Sequence, residues 1–152
     1  MKIVVVGHTG FMGKTIYSAL YDIYGDSVVG ISTNDIDLTK NGSDLELASC
    51  MSPGCIVVML AGVKKQLGDN LSSYCSNIDV ATNFAKSLPI ATPSRVIYMS
   101  SASVYGEDIA RSVPIDENSC PAPRTYYGVA KYTTELLIEK TCTDISTEYV
   151  HL

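Results

Sequence analysis

At 152 residues, with 46% apolar and 18% charged side chains, the chain can bury one ordinary core, and it holds no apolar run long enough to cross a membrane. A net charge of −5 with eleven scattered Lys and Arg argues against nucleic acid as a partner. Five cysteines without a C-x-x-C pair, and histidines only at His8 and His151, offer no zinc set and read as reduced thiols; with no leader-like stretch before the first apolar run, a cytoplasmic protein is expected.

Strand-length apolar runs alternate with stretches of helical period, which predicts a doubly wound α/β fold with a parallel sheet. A strand over residues 2–6 leads through a glycine turn into a helix over 11–24, with Ile16, Leu20 and Ile23 on one face and Gly25 as its stop. Residues 27–32 read as the second strand, 36–38 as a very short third, and 44–50 as a helix. The continuously apolar run 55–61 (CIVVMLA) is a strand buried on both faces. A helix over 71–88, carrying Ile78, Ala81 and Ala85 at helical spacing, ends before Pro89 and is followed by a strand over 95–100. A proline-containing loop over 107–123 is long enough to suggest function. It precedes a helix over 124–140 and a sixth strand starting near Glu148 and cut off at Leu152.

The turn Gly7-His8-Thr9-Gly10-Phe11-Met12-Gly13 stands between a strand and a helix, the setting in which three spaced glycines cradle a pyrophosphate. Gly7 permits the turn, Gly10 a close approach of the ligand, and Gly13 tight packing of helix on sheet, while the helix N-terminus presents N–H groups to the phosphates. Thr9, Phe11 and Met12 belong to the same cradle. His8 is open between a catalytic role and lining the phosphates. At the end of the second strand, where a carboxylate would hold a ribose 2′-OH, stand Ser32 and Thr33, with no Arg to receive a 2′-phosphate. NAD and NADP both stay open. Asp37, followed by Leu38, is either an adenine contact or a solvated turn residue.

Tyr127 and Lys131 lie one helical turn apart on the same face. A nearby ammonium favours the phenolate and brings a tyrosine toward the range in which it exchanges protons at neutral pH. Ser101, 26 residues before Tyr127, begins where a strand ends, at the edge where open α/β sheets bind ligands, and its hydroxyl can hold the substrate oxygen that gains or loses the proton.

Taken together, GHTGFMG at 7–13, the strand end Leu60-Ala61-Gly62, Asn77 within SNIDVATN, SSASVYG at 100–106 and YGVAK at 127–131 make nearly the whole chain resemble the N-terminal, Rossmann-fold part of an extended short-chain dehydrogenase/reductase of the NAD-dependent epimerase/dehydratase family. The resemblance implies an NAD(P) site that includes Leu60, Ala61 and Gly62, and a catalytic set of Ser101, Tyr127 and Lys131. It places Asn77 near the nicotinamide ribose or an ordered water, against a plain helix-polar role. Ala102-Ser103 stand where family dehydratases carry Asp-Glu, so epimerisation or 4-ketoreduction of a nucleotide sugar is expected. A non-catalytic NAD(P)-binding sensor and a reductase of non-sugar carbonyls are the alternatives. Family members run to about twice this length, so the sequence reads as one NAD(P)-binding domain over 1–152 that stops before the sugar-holding lobe. Without that lobe, an exposed sheet edge is expected to favour a homodimer.

Overall fold

The computed structural model describes residues 1–106 and 114–152, so residues 107–113 of the expected long loop lie outside the described residues. In chain order the elements are β1 (Ile3–Val6), α1 (Phe11–Tyr24), β2 (Val28–Ile31), α2 (Ser43–Cys50), β3 (Ile56–Met59), α3 (Leu71–Ala91), β4 (Arg95–Tyr98), α4 (Tyr126–Asp144) and β5 (Glu148–His151). Among the described residues the strands form one parallel sheet in the order β2-β1-β3-β4-β5. Val6 lies opposite Ile31 and Met59, and Tyr98 opposite Met59 and His151, so all five carboxyl ends finish flush along one edge. The chain reverses direction across the sheet between β1 and β3, which opens a crevice at that edge.

Both faces of the central strands are buried, as their unbroken Val and Ile runs require. On one face Val4, Val57 and Val96 pack with Leu47, Phe84, Leu88 and Ile138, which come from α2, α3 and α4. On the other, Ile3, Val5, Val28 and Val58 meet Ile16, Tyr17 and Leu20 of α1. Ile23, expected on that same helix face, is 71% exposed. The reason is length: four-residue strands span about 13 Å and a fourteen-residue helix about 21 Å, so the last turn of α1 overhangs the sheet. Gly25 ends the helix as expected, at φ 55° with its N–H on Tyr21 O.

Three expectations are corrected. Residues 36–38 form no strand, and the expected sixth strand is therefore the fifth. Ile36 and Leu38 are buried and Asp37 is not, an alternation that imitates a strand, but the backbone is satisfied locally, by Ile36 N–H on Ser32 O and by Asn83 Nδ2 on Leu38 O. Helix α3 runs through Pro89 to Ala91, since a proline in the last turn removes a single bond and Thr92, left-handed at φ 46°, closes the helix on Leu88 O. Helix α4 starts at Tyr126 rather than 124, where the Thr125 side chain accepts the N–H of Gly128.

Candidate functional site

The glycine turn joins β1 to α1 at the crevice. Gly7 holds φ 91°, donates its N–H to Ile31 O at 2.7 Å, and a Cβ there would lie 2.8 Å from Ala61 N. At Gly13 a Cβ would fall 2.1 Å from Gly7 O, so this glycine serves the packing of α1 on the turn. Gly10 differs: a Cβ would meet only Gly7 O, at 3.2 Å, and the residue otherwise faces the cleft. No side chain caps α1 and no acidic residue stands in its first turn, which leaves its leading N–H groups and positive dipole end for an anion. Phe11, 86% exposed, borders the same cleft. Thr9 is exposed on the turn. The ring of His8 takes neither expected position; it packs on Tyr17, with centroids 5.1 Å apart, and over Gly30, where a Cβ would lie 2.5 Å from it. A glycine inside β2 provides the room for that seat.

Two hollows flank the turn and share Gly7, Gly62 and Val63 as walls. The larger, about 490 Å3, runs from Gly10, Met12 and Gly13 past Leu60 to Met99, Ser100, Tyr127 and Lys131. The smaller, about 140 Å3, is bordered by Ser32, Thr33, Asp37 and Leu38 on one side and Ala61 on the other. Among the described residues no Lys or Arg borders the smaller hollow. Ser32 donates its hydroxyl (2.6 Å) and backbone N–H (2.8 Å) to Asp35, and these bonds hold that carboxyl below its usual range. Asp37 is lowered in the same way by the hydroxyl and N–H of Thr39, with a lesser contribution from Lys40, whose Nζ is 3.8 Å away.

Asn77 on α3 has both ends of its amide engaged, accepting Val63 N–H at 2.8 Å and donating to Val63 O at 3.1 Å. It thus clamps the segment that walls both hollows. Lys64 and Gln66, which follow directly, border the larger hollow and were not singled out in the sequence. Their place just after a buried strand's carboxyl end was the available signal.

Helix α4 supplies Tyr127 and Lys131. The Tyr127 N–H donates to Asp69 Oδ1 at 2.9 Å, which ties the start of α4 to the loop before α3. The Lys131 ammonium lies 2.8 Å from Met99 O, 4.6 Å above the Tyr98 ring and 5.9 Å from the Tyr127 ring. Lys131 is only 8% exposed, and burial pulls its pKa down to about 8, with the Glu135 carboxylate acting in the opposite direction. Burial pushes the Tyr98 phenol far above its ordinary value, so this second tyrosine beneath the lysine stays neutral. Ser100 and Ser101 leave β4 in different directions. Ser100 borders the cleft and gives its hydroxyl to Glu135 Oε1, whereas Ser101 caps the 3-10 turn Ala102–Tyr105, its Oγ accepting Ser103 N–H and donating to Ser103 Oγ, both at 3.2 Å. That turn presses on the first turn of α4, where a Cβ on Gly128 would sit 2.6 Å from Ser103 O. The structure therefore brings Tyr127 and Lys131, with Ser100, to one end of the larger hollow and Asp37 and Leu38 to the smaller one, with the glycine turn between, while Ser101, the residue after Ser100, is turned to its own 3-10 turn and does not border the hollow.

A model of the NAD dependent epimerase/dehydratase family matches residues 3–152. A GDP-6-deoxy-D-talose 4-dehydrogenase from Aggregatibacter actinomycetemcomitans is 26% identical over 143 residues, which cover 92% of this chain and 48% of that protein. The fold is similar to that of an L-threonine dehydrogenase from Clostridium difficile (TM-score 0.84, 19% identity, 100% of this chain and 52% of that one). It is also similar to a Thermus thermophilus UDP-glucose 4-epimerase in complex with NAD (TM-score 0.83, 18% identity, 99% and 54%). The chain thus spans about half the length of these relatives. Among the described residues no helix is long and apolar enough to cross a membrane.

Proposed function

The chain belongs to the NAD-dependent epimerase/dehydratase family, and from that premise we propose that it forms the dinucleotide-binding and proton-transferring part of a nucleotide-sugar epimerase or 4-ketoreductase. The observation that carries this reading is the pair of hollows joined across Gly7, Gly62 and Val63, with Gly10 facing the cleft where a Cβ would fill the cradle. An extended dinucleotide fits that arrangement, with its pyrophosphate on the free N–H groups of α1, adenosine toward Asp37 and Leu38, and nicotinamide toward Tyr127. When bound, the nicotinamide supplies hydride exchange with a carbon of the substrate.

In this reading Tyr127 passes the proton to or from the sugar oxygen, Lys131 favours the phenolate, and Ser101 holds the oxygen in place. Lys131 is already fixed by Met99 O, whereas the hydroxyl of Ser101 would exchange its bond to Ser103 Oγ for one to the substrate oxygen. Asn77 acts through Val63, by keeping the shared wall in place. A relative named as a 4-dehydrogenase of a GDP-linked deoxy sugar supports redox chemistry at a sugar carbon. A complete proton-transfer set favours turnover over the sensor role.

NAD is the favoured cofactor. The smaller hollow is bordered by the Asp37 carboxylate and by Ser32, which is bound to the Asp35 carboxylate, while among the described residues no Lys or Arg borders it. A 2′-phosphate would add about two negative charges beside them. Titration calorimetry with NAD, NADP and their reduced forms tests both statements: NAD is expected to bind at least tenfold more tightly than NADP. Absence of binding by all four at millimolar concentration would overturn the functional reading, and equal or tighter binding of NADP would overturn the cofactor choice.

A further inference from the structure

Three residues of α4, Tyr127, Lys131 and Glu135, stand four apart and so share one face of the helix. Three consecutive residues at the exit of β4 meet that face in the same order. The Tyr98 ring lies under the Lys131 ammonium, Met99 O accepts from it, and the Ser100 hydroxyl donates to Glu135. Ser100 is also held from the opposite side, its backbone N–H donating to Leu152 O beyond β5 at 2.7 Å. Ser101, the next residue, therefore leaves a strand end pinned by both α4 and the segment after β5.

We propose that Glu135 is a positioning residue for both partners of Tyr127: its grip on Ser100 sets the point from which Ser101 departs, and its charge keeps the buried Lys131 ammonium protonated. The proposal rests on the reading of Ser101, Tyr127 and Lys131 as the proton-transfer set.

The charges around Lys131 bear this out element by element. From β4 comes Tyr98, kept neutral by burial; from α4 come Tyr127 and Glu135. From β5 comes His151, whose ring stands edge-on to Tyr98 at 5.9 Å and whose pKa burial lowers, so it is neutral at pH 7 and above. From α3 comes the uncharged Asn77, beside Lys131 and Tyr98 around a small void. Among the described residues Glu135 is the one group whose charge opposes the loss of hydration at Lys131, which burial has already brought to about 8. Without it, Lys131 is expected to lose much of its charge at the neutral pH where the phenolate of Tyr127 needs a cation beside it.

Glu135 is half-buried on a helix, so both Glu135→Gln, which keeps an acceptor for Ser100 and removes the charge, and Glu135→Ala, which removes both, are expected to fold. The titration of Lys131 is read by NMR on protein labelled with 13C at lysine Cε, the resonance being identified by its loss in Lys131→Arg. This needs neither cofactor nor substrate, and calorimetry with NAD on the same samples tests the functional reading separately. In both variants the Lys131 midpoint is expected to fall by about one unit, the lower end of what a single nearby opposite charge produces. The backbone amide resonance of Ser101 is expected to move in Glu135→Ala and to stay near its wild-type position in Glu135→Gln. A Lys131 midpoint unchanged in a folded variant overturns the electrostatic role, and an unmoved Ser101 amide in Glu135→Ala overturns the grip.

Discussion

Gly10 and Gly13 are three residues apart in one turn, yet a methyl group added at each meets different surroundings, and the two substitutions should separate folding from binding. At Gly13 the new Cβ would lie 2.1 Å from Gly7 O and 2.9 Å from two backbone atoms of His8, so α1 must lift away from the turn. Backbone atoms cannot rotate aside as a side-chain end does, and the cost is expected to reach about 3 kcal/mol, the upper end for overpacking. For a domain of this size that lowers the melting temperature by roughly 6–12 °C. At Gly10 the new Cβ meets only Gly7 O, at 3.2 Å, and φ −68° and ψ 174° are open to any residue. Gly10→Ala is therefore expected to change stability by less than about 1 kcal/mol, the small gain from a stiffer unfolded chain offsetting the tight contact. The same methyl would occupy the face turned toward the pyrophosphate, so NAD affinity is expected to drop at least a hundredfold, about 2.7 kcal/mol. Thermal unfolding and calorimetry on both variants make the comparison. Early melting of Gly10→Ala, as for Gly13→Ala, would refute the open space read at Gly10, and wild-type binding of NAD by Gly10→Ala would refute the assignment of the cleft to a dinucleotide.

With a nucleotide sugar that supports turnover, Tyr127→Phe is expected to lower kcat by about 10²- to 10⁴-fold while NAD affinity stays near wild type, and Ser101→Ala to lower it by about 10- to 10³-fold. Steady-state kinetics across UDP-, GDP- and dTDP-linked sugars, with NAD calorimetry beside it, measures both; near-normal turnover in Tyr127→Phe would remove that residue from the mechanism. The pKa of Lys131 is lower in the fold, about 8, than in the unfolded chain, 10.5, so the unfolded state binds the extra proton and stability rises with pH between those values. Below pH 8 the buried charge works against the fold by up to about 3 kcal/mol, taking 1.36 kcal/mol per pKa unit. Lys131→Met is thus expected to be more stable than wild type near pH 7 and to lose that advantage toward pH 10.5, as followed by urea unfolding at each pH. An advantage independent of pH would contradict the burial of a charged lysine.

Much of the fold was legible in the residues because its signals are local. Unbroken apolar runs at 3–6, 56–59 and 96–99 can lie only where both faces are covered, and glycines at 7, 10 and 13 between a strand and a helix leave few structural uses other than a turn and a close approach. The spacing of Tyr127 and Lys131 needed only the period of a helix. The false strand at 36–38 came from the same kind of signal: Ile36 and Leu38 alternate with Asp37, but an alternating pattern does not say whether backbone groups pair with a strand or, as here, with Ser32 and Asn83.

Which partner each polar side chain meets was decided by tertiary structure. Asn77 reaches Val63 fourteen residues back, Lys131 reaches Met99 thirty-two residues back, and Glu135 reaches Ser100 thirty-five residues back. None of these pairs shares a period or a motif, and each exists only because strands far apart in sequence end along one edge. The depressed pKa of Lys131 likewise comes from the packing of α4 over the exit of β4. The sequence by itself determined the parallel sheet, the glycine turn between β1 and α1 and the shared helix face of Tyr127 and Lys131. Their burial, their hydrogen-bond partners and the seating of His8 over Gly30 depended on long-range packing, since desolvation and contact are properties of the assembled core and not of any segment of it.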